Sequence, residues 1–184
     1  NSDNSKPSHL TENGKNKVLK TAEDLKSKKI DLIIASPLIR TKETAELVAG
    51  VCGISKDTII YDDRIQEVQG GKMNGSTSEQ YAKLFPNVID KFTVTPEGGE
   101  NLSDVKKRVG DFIYEIDRKY QGKTVLVVTH EYVMWMLDSV RLGLTNKAAS
   151  LLKEKSVDYV PTSHLVSFGF ARIPHNDDYE LDFH

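Results

Sequence analysis

Residues 125–137 read VLVVTHEYVMWML, and the interpretation of the whole chain turns on them. Val125, Leu126, Val127 and Val128 make a short apolar run without alternation, the pattern of an interior strand in a parallel sheet. Thr129 and His130 stand where that run stops, and the residues after them read as a helix. A lone histidine is more often a hydrogen-bonded packing group than a reactive one. Its place alters that expectation, because ligands bind beyond the carboxyl ends of strands in open α/β sheets. The following helix adds free N–H groups and a positive dipole end, both of which favour an anion beside His130. Thr129 and those N–H groups are expected to add donors to such a pocket. Met134, Trp135 and Met136 are expected in the core.

The same strand-then-helix pattern occurs upstream. Thr11 suits a helix cap, and Val18, Ala22 and Leu25 follow at helical spacing, with an end near Lys28. Residues 30–35 read as a buried strand. Ser36 and Pro37 suit the start of a helix that Gly53 closes. Residues 57–62 read as a short strand, residues 64–77 as a glycine-punctuated loop, and residues 76–85 as a short helix ended by Pro86. A second glycine loop, residues 95–104, precedes an amphipathic helix marked by Val105, Val109, Phe112, Ile113, Ile116 and Tyr120 and closed by Gly122. Residues 162–173 alternate like a final strand. Alternating strands and helices predict an α/β fold of three layers, α/β/α, around a mostly parallel central sheet. No repeat or linker divides residues 1–184, which are expected to form a single domain.

Composition narrows the function classes. The 184 residues are 38% hydrophobic and 28% charged with a net charge of −2, so no electrostatic footprint points to nucleic acid or an anionic membrane. No apolar run approaches the ~20 residues of a membrane span. One cysteine, Cys52, precludes an internal disulfide framework, and with no secretion signal visible the expected location is cytoplasmic. The five histidines lack metal-ligand spacing among themselves, so no metal and no cofactor is expected. No glycine-rich turn follows a predicted strand, which disfavours a nucleotide-binding redox domain.

Two further side chains are candidates beside His130. Arg40 lies one turn into the helix after residues 35–38, on the same rim of the sheet. It is either a surface arginine paired with Glu43 or Glu46, or a guanidinium fork aimed at a phosphate. Glu67 lies in the loop 62–71. Most of the 27 acidic residues must be solvated surface charge, but a carboxyl held on such a loop suits a general acid.

Five segments in order, LTENG, DLIIASPLIRTKETAE, DDRIQEVQGGKMNG, EGGENLSDVKKRV and VLVVTHEYV, resemble the histidine phosphatase superfamily, which includes the cofactor-dependent phosphoglycerate mutases. The resemblance covers about residues 10–170. It implies a phosphoglycerate mutase-like fold and a metal-free phosphoryl-transfer site in which a histidine is phosphorylated and then hydrolysed. Arg40 matches the arginine that grips the phosphate, His130 the second histidine that bonds the transferring oxygens, and Glu67 the acid that protonates the leaving oxygen. The implied partner is a small phosphorylated substrate or free phosphate, with oligomeric state open. A phosphatase is favoured over a mutase because the segment from Gly71 to Gly99 is short. The Arg-His-Gly motif that opens the family, on a central strand, does not occur in the sequence, and His9 has no apolar strand ahead of it. The nucleophilic histidine and its strand are therefore expected upstream of Asn1. A segment from a second copy, or a non-catalytic phosphate-binding or regulatory domain, are the alternatives. The last residues, DDYELDFH, resemble a stretch of isoleucyl-tRNA synthetases, which would make the domain an insert carved from a larger protein.

Overall fold

The computed structural model describes residues 7–154 and 160–168. Three parallel strands, β1 (Leu32–Ala35), β2 (Ile60–Tyr61) and β3 (Val125–Val128), lie in the order β2-β1-β3. Around them run α1 (Glu12–Leu25), α2 (Ile39–Cys52), α3 (Ser78–Leu84), α4 (Leu102–Lys119), α5 (Glu131–Arg141) and α6 (Asn146–Glu154). This is the α/β class that the alternation predicts.

The strand period of two sorts side chains into two cores. Ile33, Ala35 and Val128 pack with Val18, Ala22, Ala45 and Val48 of α1 and α2 on one face. Ile34, with Leu32, Val125 and Val127 beside it, packs on the other face against Val105, Val109, Phe112, Val133 and Trp135 of α4 and α5. Both faces are covered, which explains why β1 and β3 are apolar throughout. Each fully buried side chain such as Phe112 stabilises the fold by about 1.5–3 kcal/mol. Met136 and Trp135 are fully buried, as expected of core residues, whereas Met134 is half-buried and lines a cavity.

Caps set the helix bounds. Thr11 accepts from the Gly14 N–H at the start of α1, and Asn101 and Asp104 form a reciprocal capping box on α4. Ser36 is not the cap of α2: the helix begins at Ile39 after Leu38, and the Ser36 hydroxyl, besides a long 3.4 Å bond from the Leu38 N–H, is engaged by His130. The strand expected at residues 57–62 shrinks to Ile60–Tyr61, because Lys56–Thr58 closes a 3₁₀ turn on Ser55.

The final strand expected over residues 162–173 is not formed in its described part. Residues 162–168 make no ladder; Ser163 takes a positive φ of 61° in a turn, and Leu165, Val166 and Phe168 stay exposed. Alternation supplies the signal for a strand, but a ladder also needs a partner strand alongside. Residues 169–173, and residues 177–184 on which the synthetase resemblance rests, lie outside the described residues. The three strands are contiguous, so an added strand would lie outside β3 or β2 and not between them. Among the described residues no helix is long and apolar enough to cross a membrane, and none of their His, Cys, Asp and Glu side chains group as metal ligands.

Candidate active site

Register brings the site together. Ala35 pairs with Val128 across parallel strands, and the Ser36 N–H donates to the Val128 carbonyl at 2.9 Å. Residues just past Ala35 and just past Val128 therefore emerge on one rim, one strand spacing (~4.8 Å) apart. Ser36 and His130 are such residues although 94 positions separate them. Arg40, in the first turn of α2, reaches the same rim.

His130 is 93% buried and caps α5 in an extended conformation. Arg40 Nη2 donates to His130 Nδ1 at 3.1 Å, which makes Nδ1 the acceptor. Nε2 then carries the proton and donates to Ser36 Oγ at 2.8 Å. Burial first, then the positive charges of Arg40 and Arg108, hold the imidazole neutral by pushing its pKa down to about 3. With both ring nitrogens engaged, His130 is arranged to orient and donate, not to attack.

Glu67 faces the same cavity, about 660 Å³, that Arg40 and His130 line. Its carboxylate accepts from the Val68 N–H at 2.9 Å. Burial pushes its pKa up to about 7, against the pull of Val68 and Arg40 and with help from Glu131. Desolvation pushes the Arg40 guanidinium down, and the Glu67 charge pushes it back up. A carboxyl with its pKa raised to about 7, a guanidinium and a neutral imidazole around one cavity are chemically able to grip an anion and to protonate one of its oxygens.

The Glu67 loop is held from three sides. The Thr129 hydroxyl donates to the Ile65 carbonyl at 2.8 Å. It ties the loop to the end of β3 and does not add a donor to an anion pocket as the sequence reading expects. Arg108 donates to both Glu100 oxygens, at 3.0 and 2.7 Å, and to the Arg64 carbonyl. The two glycine loops then pack on each other: Glu100 N–H donates to the Gln69 carbonyl and Lys72 N–H to the Glu97 carbonyl, both at 2.9 Å. Gly71 has a φ of +53°, and a Cβ there would collide with the Glu97 carbonyl. A Cβ on Gly99 would lie 2.5 Å from the Gln69 carbonyl.

A profile of the histidine phosphatase superfamily (branch 1) matches residues 3–160. The chain belongs to that superfamily. Phosphoserine phosphatase 1 of Hydrogenobacter thermophilus is 31% identical over 140 residues, which cover 73% of this chain and 65% of that protein. Phosphoglycerate mutase-like protein 4 of Arabidopsis thaliana is 30% identical over 128 residues, 66% of this chain and 55% of that protein. The chain thus spans less than two thirds of the length of these two relatives. A solved mycobacterial glucosyl-3-phosphoglycerate phosphatase superposes with a TM-score of 0.69 at 24% identity, over 79% of this chain and 73% of that one. That likeness is one of fold, and it carries the phosphoglycerate mutase-like architecture.

In this member of the superfamily, Glu43 and Glu46 do not pair with Arg40. Glu43 binds the His9 ring at 2.6 Å and the Leu10 N–H at 2.7 Å, which ties the entrance of α1 to α2. Glu46 lies near Lys56. Sequence reasoning missed Ser36 as the partner of His130, taking it for a cap, and missed the Arg108–Glu100 bracket. The second had a signal in the sequence: glycine pairs in two separate loops, the later one flanked by Glu97 and Glu100.

Proposed function

We propose that this chain belongs to a phosphatase that hydrolyses a small phosphomonoester through a phosphohistidine, with Arg40, His130 and Glu67 as its phosphate-gripping and acid groups. The observation that carries this reading is the shared cavity. It holds a guanidinium, a neutral imidazole bonded to it, and a carboxyl that keeps its proton to about pH 7. Phosphoryl transfer spreads negative charge over the equatorial oxygens, so cationic and donor groups fixed in advance do most of the work. In the first step a histidine nitrogen attacks phosphorus, the P–O bond to the leaving group breaks, and Glu67 passes its proton to that oxygen. In the second, water attacks the phosphohistidine, the P–N bond breaks, and Glu67 takes the proton from water.

His130 is a poor nucleophile with both nitrogens bonded. The nucleophile in this proposal comes from a segment preceding Asn1, laid along the edge of β3 that faces away from β1. Support comes from that edge: among the described residues β3 pairs only with β1, and the cavity runs beside residues 124–130. The bonded state of His130 also favours a second reading, in which the domain binds phosphate without turnover.

The test is hydrolysis of p-nitrophenyl phosphate at mildly acidic pH, using protein that includes the residues preceding Asn1 in its gene, with acid-labile phosphohistidine trapped by mass spectrometry. Arg40→Ala and His130→Ala should each lower kcat/KM by at least ~100-fold. Turnover that is unchanged in both variants refutes the mechanism. Phosphate protection against heating that Arg40→Ala abolishes, with no turnover in any form, establishes the binding-only reading.

A further inference from the structure

Glu131 follows His130 directly and opens α5. Its side chain lines the same cavity as Arg40, Glu67 and His130. No step of the proposed hydrolysis uses it, and by charge alone it opposes an anion there. A phosphomonoester brings a charge of about −1.5 to −2. Arg40 supplies a positive charge on the rim, which an unopposed Glu131 would cancel, and Arg108 behind the Glu67 loop is already paired with Glu100. A carboxylate in the first turn of a helix is also drawn to the N–H groups that start it, the groups a phosphate would use. Left alone, Glu131 is a built-in competitor of the substrate.

Lys153 removes both difficulties. Its ammonium donates to Glu131 Oε1 from α6, and the pair lies largely inside the protein, with the lysine side chain 11% exposed and the glutamate 33%. The contact is one rung of a helical hairpin. One turn after Glu131 on α5, the Trp135 Nε1–H donates to the Ala149 carbonyl at 3.0 Å, and Ala149 lies one turn before Lys153 on α6. The two helices therefore run antiparallel here. Trp135 and Ala149 are both fully buried, so their rung fixes α6 and sets Lys153 beside Glu131. An ion pair so far out of water adds little net stability over packed apolar side chains, because desolvation offsets the attraction. Its effect on the charge at the rim is the stronger account of it.

We propose that Lys153 is a positioning residue of the phosphate site: it holds the Glu131 carboxylate against α6 and neutralises it, which leaves Arg40 and the start of α5 to the substrate. The inference rests on the phosphate site proposed above and adds a residue that touches no substrate and acts through Glu131. A purely structural Lys153 would behave differently. Its loss would then loosen α6 whatever stands at position 131, whereas a charge-holding Lys153 is needed only while Glu131 is present. A double-mutant cycle separates the two.

The experiment is isothermal titration calorimetry with inorganic phosphate at pH 6, on protein that includes the residues preceding Asn1 in its gene. Lys153→Met, which keeps the unbranched stem and loses the charge, should weaken phosphate binding at least ~10-fold. Lys153→Arg should stay within ~3-fold of native. Glu131→Gln removes the opposing charge and should bind phosphate tighter than the native protein, a result that does not depend on whether Lys153→Met folds. Adding Glu131→Gln to Lys153→Met should bring binding back to within ~3-fold of native. Native-like binding by Lys153→Met overturns the proposal while leaving the phosphate site standing. So does a Glu131→Gln protein that binds no tighter than native. A double variant as weak as Lys153→Met, with both melting at lower temperature, overturns it in favour of packing. Failure of the native protein to bind phosphate removes the phosphate site and this role of Lys153 with it.

Discussion

Replacing Glu67 by glutamine tests the electrostatics of the site without needing turnover. Burial raises the Glu67 carboxyl from 4.5 to about 7. The folded chain therefore holds this proton more tightly than the unfolded chain, whose glutamate titrates near its ordinary value. The preference for the folded state is complete below about pH 4.5 and is lost as pH rises through 7. Above that, an ionised carboxylate burdens the native state by about 3 kcal/mol, at 1.36 kcal/mol per pKa unit. Glutamine has the same shape and keeps an oxygen to accept from the Val68 N–H, but never ionises. Glu67→Gln should therefore match the native protein at pH 4 and exceed it by about 3 kcal/mol at pH 8, a rise of about 6–12 °C in Tm for a domain of this size. His130 also titrates in acid, its folded pKa lying near 3, and it destabilises both proteins together as pH falls below its unfolded value. The difference between the two melting curves cancels that common effect. Circular dichroism melts at pH 4, 6 and 8 measure it. A Tm gap that stays constant over this range, or a glutamine variant that melts lower at pH 8, refutes the burial argument. The matching kinetic expectation is that hydrolysis falls as pH rises through about 7, where the acid loses its proton.

Other substitutions probe the supports. Gly71→Ala should destabilise the fold by more than ~2 kcal/mol in urea denaturation, because both the positive φ and the Glu97 carbonyl oppose a methyl group. Ser36→Ala leaves the buried His130 Nε2–H without its acceptor and should cost ~1–3 kcal/mol. The Nε2 proton resonance, followed by NMR, should then shift and exchange faster, and an unmoved signal rules out this hydrogen bond.

Much of the architecture is readable from local pattern. The apolar runs at Leu32–Ala35 and Val125–Val128, the Thr11 cap and the 3.6-residue period of α4 are each set by neighbours in the chain, and each forms where expected. Where alternation alone is the signal, over residues 162–168, no ladder forms, because pairing depends on a strand that local pattern cannot supply. Ser36 shows the same limit in the site: its sequence neighbours suit a cap, while its actual partner is a histidine 94 positions away.

The chemistry divides along that line too. Residue types and strand ends nominate Arg40, Glu67 and His130 as candidates, since a strand that stops at a helix start always delivers its next side chain to the sheet rim. Their states come from packing. The Ala35–Val128 register sets Arg40 against His130, and the burial that follows makes one imidazole neutral and one carboxyl reluctant to ionise. Linear order specifies which groups exist and on which elements they ride. Distance and dielectric, properties of the folded interior alone, determine which of them share a proton and which carry a charge.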